Sequence, residues 1–239
     1  MQPSIFPNLK RTHARRLREL YRSAGWPYQD VIEIELLAAG LLDRVPDAKG
    51  VDCMRVTDTG IQYLASAAQS NRESLSAHNM LVDRVATAMI RDGRIVWKSL
   101  ALRAALPPDP EVEESKHRWR MCIPDVFSIR NSTVHAYLEH IVHEIKVSRA
   151  DVLGDLKNKD KRNAYLDLGG QCWYVLGCNA KGKPIADADE IPAECGVMVY
   201  TDNRLEVLRA APKRPAAQLP FSVWMALAKA SPVKLEGDS

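Results

Sequence analysis

Two rhythms of apolar positions run along the chain, and the pattern changes near residue 70. In the first stretch, LKRTHARRLRELYRSAG sets Leu17, Leu20 and Tyr21 on one face of a 3.6-residue period, and Gly25 supplies a stop. A second helix is predicted after Pro27, with Val31, Ile34, Leu37 and Ala38 at helical spacing and Gly40 at its end. LLDRVPDAKGVDCMRV then reads as two short strands around a Pro/Gly turn, and TDTGIQYLASAAQ as a third helix begun at a Thr or Asp cap. The polar segment SNRESLSAH marks the expected boundary between a domain over 1–70 and another over 71–239.

Beyond that boundary the pattern predicts a helix from Met80 to Arg91, a strand in RIVWKSL and a polar, Pro-rich loop. Two strands follow inside CIPDVFSIRNSTVHAYLEHIVHEIKVS, then a helix from Asp151 to Leu168 and a strand in QCWYVLGC. Strands in GVMVYT and RLEVLRA and an apolar helix in FSVWMALAKA close the chain. Strands mixed with helices imply an α/β domain.

Composition narrows the class. With 46% hydrophobic and 26% charged residues in 239, the chain is an ordinary globular protein, which excludes collagen, coiled coils and disordered tails. No apolar run approaches the roughly 20 residues that span a bilayer, and the amino terminus has no apolar core of a signal peptide. A cytoplasmic protein without a membrane partner is expected. The five cysteines are scattered without a CxxC pair, so reduced, packed thiols are expected rather than zinc. A net charge of +3 is too small to identify a nucleic-acid partner, so local clustering has to do so. The first helix carries Lys10, Arg11, Arg15, Arg16, Arg18 and Arg22 against one acid, Glu19.

The second rhythm contains the chemistry. Charges at core-facing positions are costly unless they are paired or bind metal, yet both strands of the CIPDVFSI…HEIKVS stretch carry an acid. Acid-x-lysine by itself means little: chance gives about 1.6 matches in a chain of this make-up. There are four, at Asp47, Glu114, Glu144 and Asp155. Asp47 falls in a turn, Glu114 in the Pro-rich loop, and Asp155 on a helix, where residues two apart diverge. Only Glu144-Ile-Lys146 lies in a strand, where positions two apart share a face at about 6.6 Å of rise. Pro-Asp also occurs twice, and Asp125, which opens DVFSI, is the better partner than Asp109 among loop prolines.

Asp125, Glu144 and the carbonyl of Ile145 supply hard oxygen ligands for Mg²⁺ or Mn²⁺, which keeps waters and shares substrate phosphate. Lys146 beside them would orient the attacking water and stabilise developing charge. Residue types and spacing suit phosphodiester hydrolysis. The bland alternative is a structural ion pair at a sheet edge.

The sequence PDVFSI…EIKVSRADVLGDLKNKDKRNAYLDLGGQCWYVLG resembles the PD-(D/E)XK nuclease superfamily, with Asp125, Glu144 and Lys146 on its signature. More narrowly it is similar to the MmcB-like DNA repair proteins, through Ser148, Asp151, Asp155, Lys157, Tyr165 and the strand CWYVLG. The resemblance spans roughly residues 76 to 235. It implies a restriction-endonuclease-like mixed central sheet flanked by helices, and a Mg²⁺- or Mn²⁺-dependent cut in DNA. The superfamily often adds a first-helix acid, for which this chain offers Glu73, His78 or Asp83. The first 70 residues resemble a small winged-helix-like domain, through AAGLL…RVTDTGIQYL.

The expected function is therefore a metal-dependent DNA endonuclease or repair nuclease. The alternative is a catalytically weak or inactive nuclease-fold protein that binds DNA or regulates. DNA contact is expected from Arg15, Arg16 and Arg18 and from Lys157, Lys159, Lys161 and Arg162. A homodimer or a larger protein assembly is the remaining partner expectation.

Overall fold

A computed structural model describes residues 9–106, 118–213 and 219–234. The chain falls into two compact units, Met1–Leu75 and Ser76–Ser239.

The first unit contains α1 (Arg11–Arg22), α2 (Val31–Ala38) and the antiparallel pair β1 (Leu42–Pro46) and β2 (Asp52–Val56). Leu17 and Leu20 of α1 meet Leu36, Leu41, Leu42 and Met54 in a small core. Gly25 adopts φ +77°, and a β-carbon there would collide with the carbonyl of Met54, whose N–H in turn donates to Gly25 O at 2.7 Å. Only glycine fits that crossing. The acids of α2 are used internally. Asp30 caps the helix by accepting from Glu33 N at 2.9 Å, and buried Glu33 accepts from Tyr28 N at 2.6 Å. Glu35 pairs with His13 at 2.5 Å.

Helix α3 runs unbroken from Asp58 to Arg91. This corrects the two helices expected on either side of SNRESLSAH, whereas the division between the two compact units, at Leu75/Ser76, falls inside that segment. That segment holds no Pro or Gly, and its Arg, Glu, Leu and Ala are good helix formers, so polarity alone did not interrupt the helix.

The second unit is built on six strands in the order β10-β9-β8-β7-β6-β3. They are β3 (Arg94–Lys98), β6 (Val126–Arg130), β7 (His140–Lys146), β8 (Gln171–Leu176), β9 (Gly196–Thr201) and β10 (Arg204–Arg209). The pairs β7/β8 and β8/β9 are parallel and the other three are antiparallel, so the sheet is mixed. A separate antiparallel ribbon of β4 (Leu102–Leu106) and β5 (Arg118–Cys122) was not foreseen in the pattern. The Pro-rich segment between them, with Asp109, Glu114 and Lys116, lies outside the described residues.

Both faces of the sheet are covered, which is why β7 and β8 are buried throughout. Leu81, Val82, Val85 and Met89 of α3 pack against Val126, Ile141, Ile145 and Val175 on one face. On the other, α4 (Arg149–Leu156), α5 (Lys159–Leu168) and α6 (Phe221–Lys229) pack against Phe127, Val142, Tyr174 and Leu176. The single helix expected over 151–168 is two helices. Asn158 ends the first and caps the second, its side chain accepting from Lys161 N at 3.2 Å.

Candidate active site

Strand β7 places the first two groups. Its alternate residues Ile141, His143 and Ile145 turn toward α3, so Glu144 and Lys146 turn together toward α4 and α5. The Lys146 Nζ donates to Glu144 Oε1 at 2.6 Å. Both side chains are deeply covered, Glu144 at 3% and Lys146 at 5% exposure.

Strand β6 brings the third. Val126 pairs with His143, and the same register carried one step further sets Asp125 opposite Glu144. Asp125 Oδ2 accepts from Ile145 N at 2.7 Å, which fixes the carboxyl against β7. Its other oxygen lies 3.3 Å from Nε2 of His78, and that partner raises the imidazole pKa. Of the three expected first-helix contributors, His78 reaches the site. Asp83 instead pairs with Lys98 at 2.6 Å, and Glu73 accepts from Gln69 on its own helix.

The break at Asn158 supplies the rest. It lets Asp155 and Lys161 converge, with Lys161 Nζ donating to Asp155 Oδ1 at 2.6 Å and also to Glu144 Oε1. Lys161, expected to contact phosphate beside the scissile bond, lies at the Glu144 carboxyl itself with its side chain 24% exposed. Tyr174 OH donates to Asp155 Oδ2 at 2.7 Å, while Asp155 and Asp151 stand 3.5 and 3.6 Å from Lys146 Nζ. Asp155 diverges from Lys157 as helical spacing requires, but it belongs to the site nonetheless. The signal that could have found it was Asn158, a capping residue in the middle of the expected helix.

The electrostatics follow from burial and from this crowd of charge. Burial, and then the neighbouring Asp125 charge, push the Glu144 carboxyl upward against the pull of the two lysines. Burial opposes charge on Lys146, but Glu144 and Asp155 outweigh it and hold the ammonium above its usual range. Burial likewise opposes ionisation of Asp155, and the two lysines with Tyr174 prevail, leaving it lowered. Glu144 Oε2 is buried and accepts no hydrogen bond. A carboxylate oxygen without a donor, next to a second carboxylate that destabilises its charge, is the environment a hard cation relieves. Among the described residues no group of three or more His, Cys, Asp and Glu is placed to hold a metal ion. Two carboxylates fit Mg²⁺, which is commonly held by one or two of them together with water and substrate phosphate.

The remaining expected contacts divide. Arg16 is committed within the first unit, 2.8 Å from Asp30 and with its guanidinium 3.7 Å from the centre of the Tyr28 ring. Arg162 is likewise committed, 3.2 Å from Glu194 and donating to Leu156 O at 3.3 Å. Both guanidinium groups thus already have partners within the chain. Arg15 is exposed and pairs only with exposed Glu19. Arg18 is half-buried, and Lys157 and Lys159 are exposed. His140 and His143 are buried with no hydrogen-bond partner on either ring, and Trp173 and Tyr174 are core residues.

No protein-family model matches the sequence, and no curated protein does either. A solved structure, the SPO1766 protein of unknown function from Silicibacter pomeroyi, is similar to it at 20% identity with a TM-score of 0.38, over 62% of this chain and 79% of that one. Among the described residues no helix is long and apolar enough to cross a membrane.

Proposed function

We propose that this protein is a metal-dependent DNA endonuclease or repair nuclease, with a restriction-endonuclease-like second unit and a winged-helix-like first unit that helps hold DNA. The observation that carries this reading is the donor-free Oε2 of Glu144, buried opposite Asp125 and beside the protonated Lys146. Asp125 and Glu144, with the carbonyl of Ile145, are the groups that would hold Mg²⁺ or Mn²⁺. When bound, the ion supplies an acidified water and neutralises charge on the transferred phosphoryl group.

The chain's own residues do the rest. The bond between Ile145 N and Asp125 keeps one carboxyl fixed in the site, so little reorganisation accompanies reaction. Lys146, held protonated by Glu144, Asp155 and Asp151, cannot act as a proton acceptor near neutral pH. It orients the attacking water and stabilises the charge that develops as the water oxygen bonds to phosphorus, its proton passing to solvent, and the P–O bond to the sugar breaks, the sugar oxygen taking a proton from solvent. Tyr174 and Asp155 keep Lys161 directed at Glu144, so the two ammonium groups share one carboxylate oxygen and leave the other for a cation.

Purified protein should nick plasmid DNA with Mg²⁺ or Mn²⁺ and lose that activity in EDTA. Asp125→Ala and Lys146→Ala should each lower the rate by about 100-fold or more. Equal residual cutting by all three proteins would end this reading. A second reading, DNA binding without cleavage, is favoured by the occupation of Glu144 Oε1 by two lysines and of Asp125 Oδ2 by Ile145 N. It predicts tight, salt-sensitive duplex binding by a protein that cuts nothing, weakened by Arg15→Gln and Arg18→Gln.

A further inference from the structure

The β4–β5 ribbon leads directly into the site. β5 ends at Cys122, and only Ile123 and Pro124 separate it from Asp125. The Ile123 carbonyl accepts from Tyr165 OH at 3.1 Å, which ties this connection to α5 next to Lys161. Cys122 itself is buried in the core that also holds Tyr165 and Tyr174.

The two faces of the ribbon differ. Leu102, Ala104 and Cys122 turn inward to the core. By strand alternation, Arg103, Ala105, Trp119 and Met121 occupy the other face, with Arg103 paired to Met121 and Ala105 to Trp119 in the register. That face is apolar yet open: Trp119 is 45% exposed, Met121 63% and Ile123, just beyond, 55%. A large exposed apolar run is uncommon without a partner. The Arg103 guanidinium lies 4.9 Å from the centre of the Trp119 ring, and the Asp167 carboxylate accepts from Ala105 N at the ribbon's margin.

We propose that this face binds the unpaired bases of a nucleic-acid strand that continues from the scissile phosphate, and so sets the protein's preference for single-stranded or locally opened DNA. The proposal rests on the nuclease reading and extends it to a substrate class. An indole backed by a guanidinium is a stacking surface with a positive charge for the adjoining phosphate, the combination used for single strands. Duplex bases are stacked on each other and present no ring face, so Trp119 gains a partner only where a strand is open.

Trp119→Ala and Met121→Ala are exposed substitutions and should leave the melting temperature within about two degrees of wild type. Binding of a labelled oligonucleotide, single-stranded and in duplex, is then measured by anisotropy without divalent metal, beside cleavage of both forms with Mg²⁺. Trp119→Ala should weaken single-strand binding by about fivefold or more while changing duplex binding less than about twofold. If wild type cuts DNA and Trp119→Ala binds single strands equally well, this proposal is overturned and the nuclease stands. If wild type neither binds nor cuts either form, both are overturned. Concentration-dependent self-association lost in Trp119→Ala, with strand affinity unchanged, would assign the face to a second copy and overturn the proposal.

Discussion

Glu144 lies between two ammonium groups and one carboxylate, with a single oxygen left over, and the behaviour of neighbouring residues follows from that arrangement. Tyr174 donates to Asp155, so Tyr174→Phe leaves a buried carboxylate oxygen short of its donor. The expected loss is about 1–3 kcal/mol, read as a lower midpoint in urea, together with slower cleavage because Lys161 loses its anchored partner. His143 behaves in the opposite way. Burial, assisted by the Arg94 charge, pulls its pKa down to about 3, so it stays neutral in the fold and takes up a proton once unfolded below about pH 6.5. Acid therefore favours the unfolded chain, and this contribution is lost as pH falls from about 6.5 toward 3. His143→Leu should flatten the decline by up to about 1.4 kcal/mol per pH unit, seen in urea midpoints across that range. Neither ring nitrogen of His143 has a partner, so the substitution should also not destabilise at neutral pH.

The junction between α4 and α5 has a larger role than its two residues suggest. Asn158 caps α5 by accepting from the backbone N–H of Lys161, the residue whose side chain reaches Glu144 and Asp155. Asn158→Ala should cost about 1 kcal/mol and should lower the cleavage rate more than an equally destabilising substitution elsewhere on α5. Equal losses would mean that the cap holds the helix and does not position the lysine. The same break explains why acid-x-lysine at Asp155 was discounted on a helical repeat and yet one member belongs to the site. Lys157 closes α4 together with Asp155, and the lysine that reaches Asp155 is Lys161, across the break on α5.

Across the whole molecule, the basic groups sort by whether the fold has already committed them. On the proposed reading Arg15, Arg18, Lys157 and Lys159 are the groups for phosphate, whereas Arg16 holds Asp30 and Tyr28 and Arg162 holds Glu194. Each charge-removing change in the first group should reduce the slope of log affinity against log salt by about one. Arg16→Gln should leave that slope unchanged and lower the stability of the first unit. A slope that falls equally for Arg16→Gln and Arg15→Gln would show that the Asp30 pair opens on DNA.

Much of this was legible along the chain, because it depends on local periods. Period-two alternation put Glu144 and Lys146 on one strand face, and the prolines around Asp109 favoured Asp125 as their partner. Helix, helix and hairpin in the first unit follow from helical spacing and from Pro and Gly stops. Other features were not encoded locally. Whether His78 or Asp83 meets Asp125, whether Lys161 turns inward, and whether Arg16 is spent on Asp30 depend on distances between elements far apart in sequence. An ion pair forms with whichever opposite charge the packed backbone brings within a few ångströms, and no repeat along the chain records that choice.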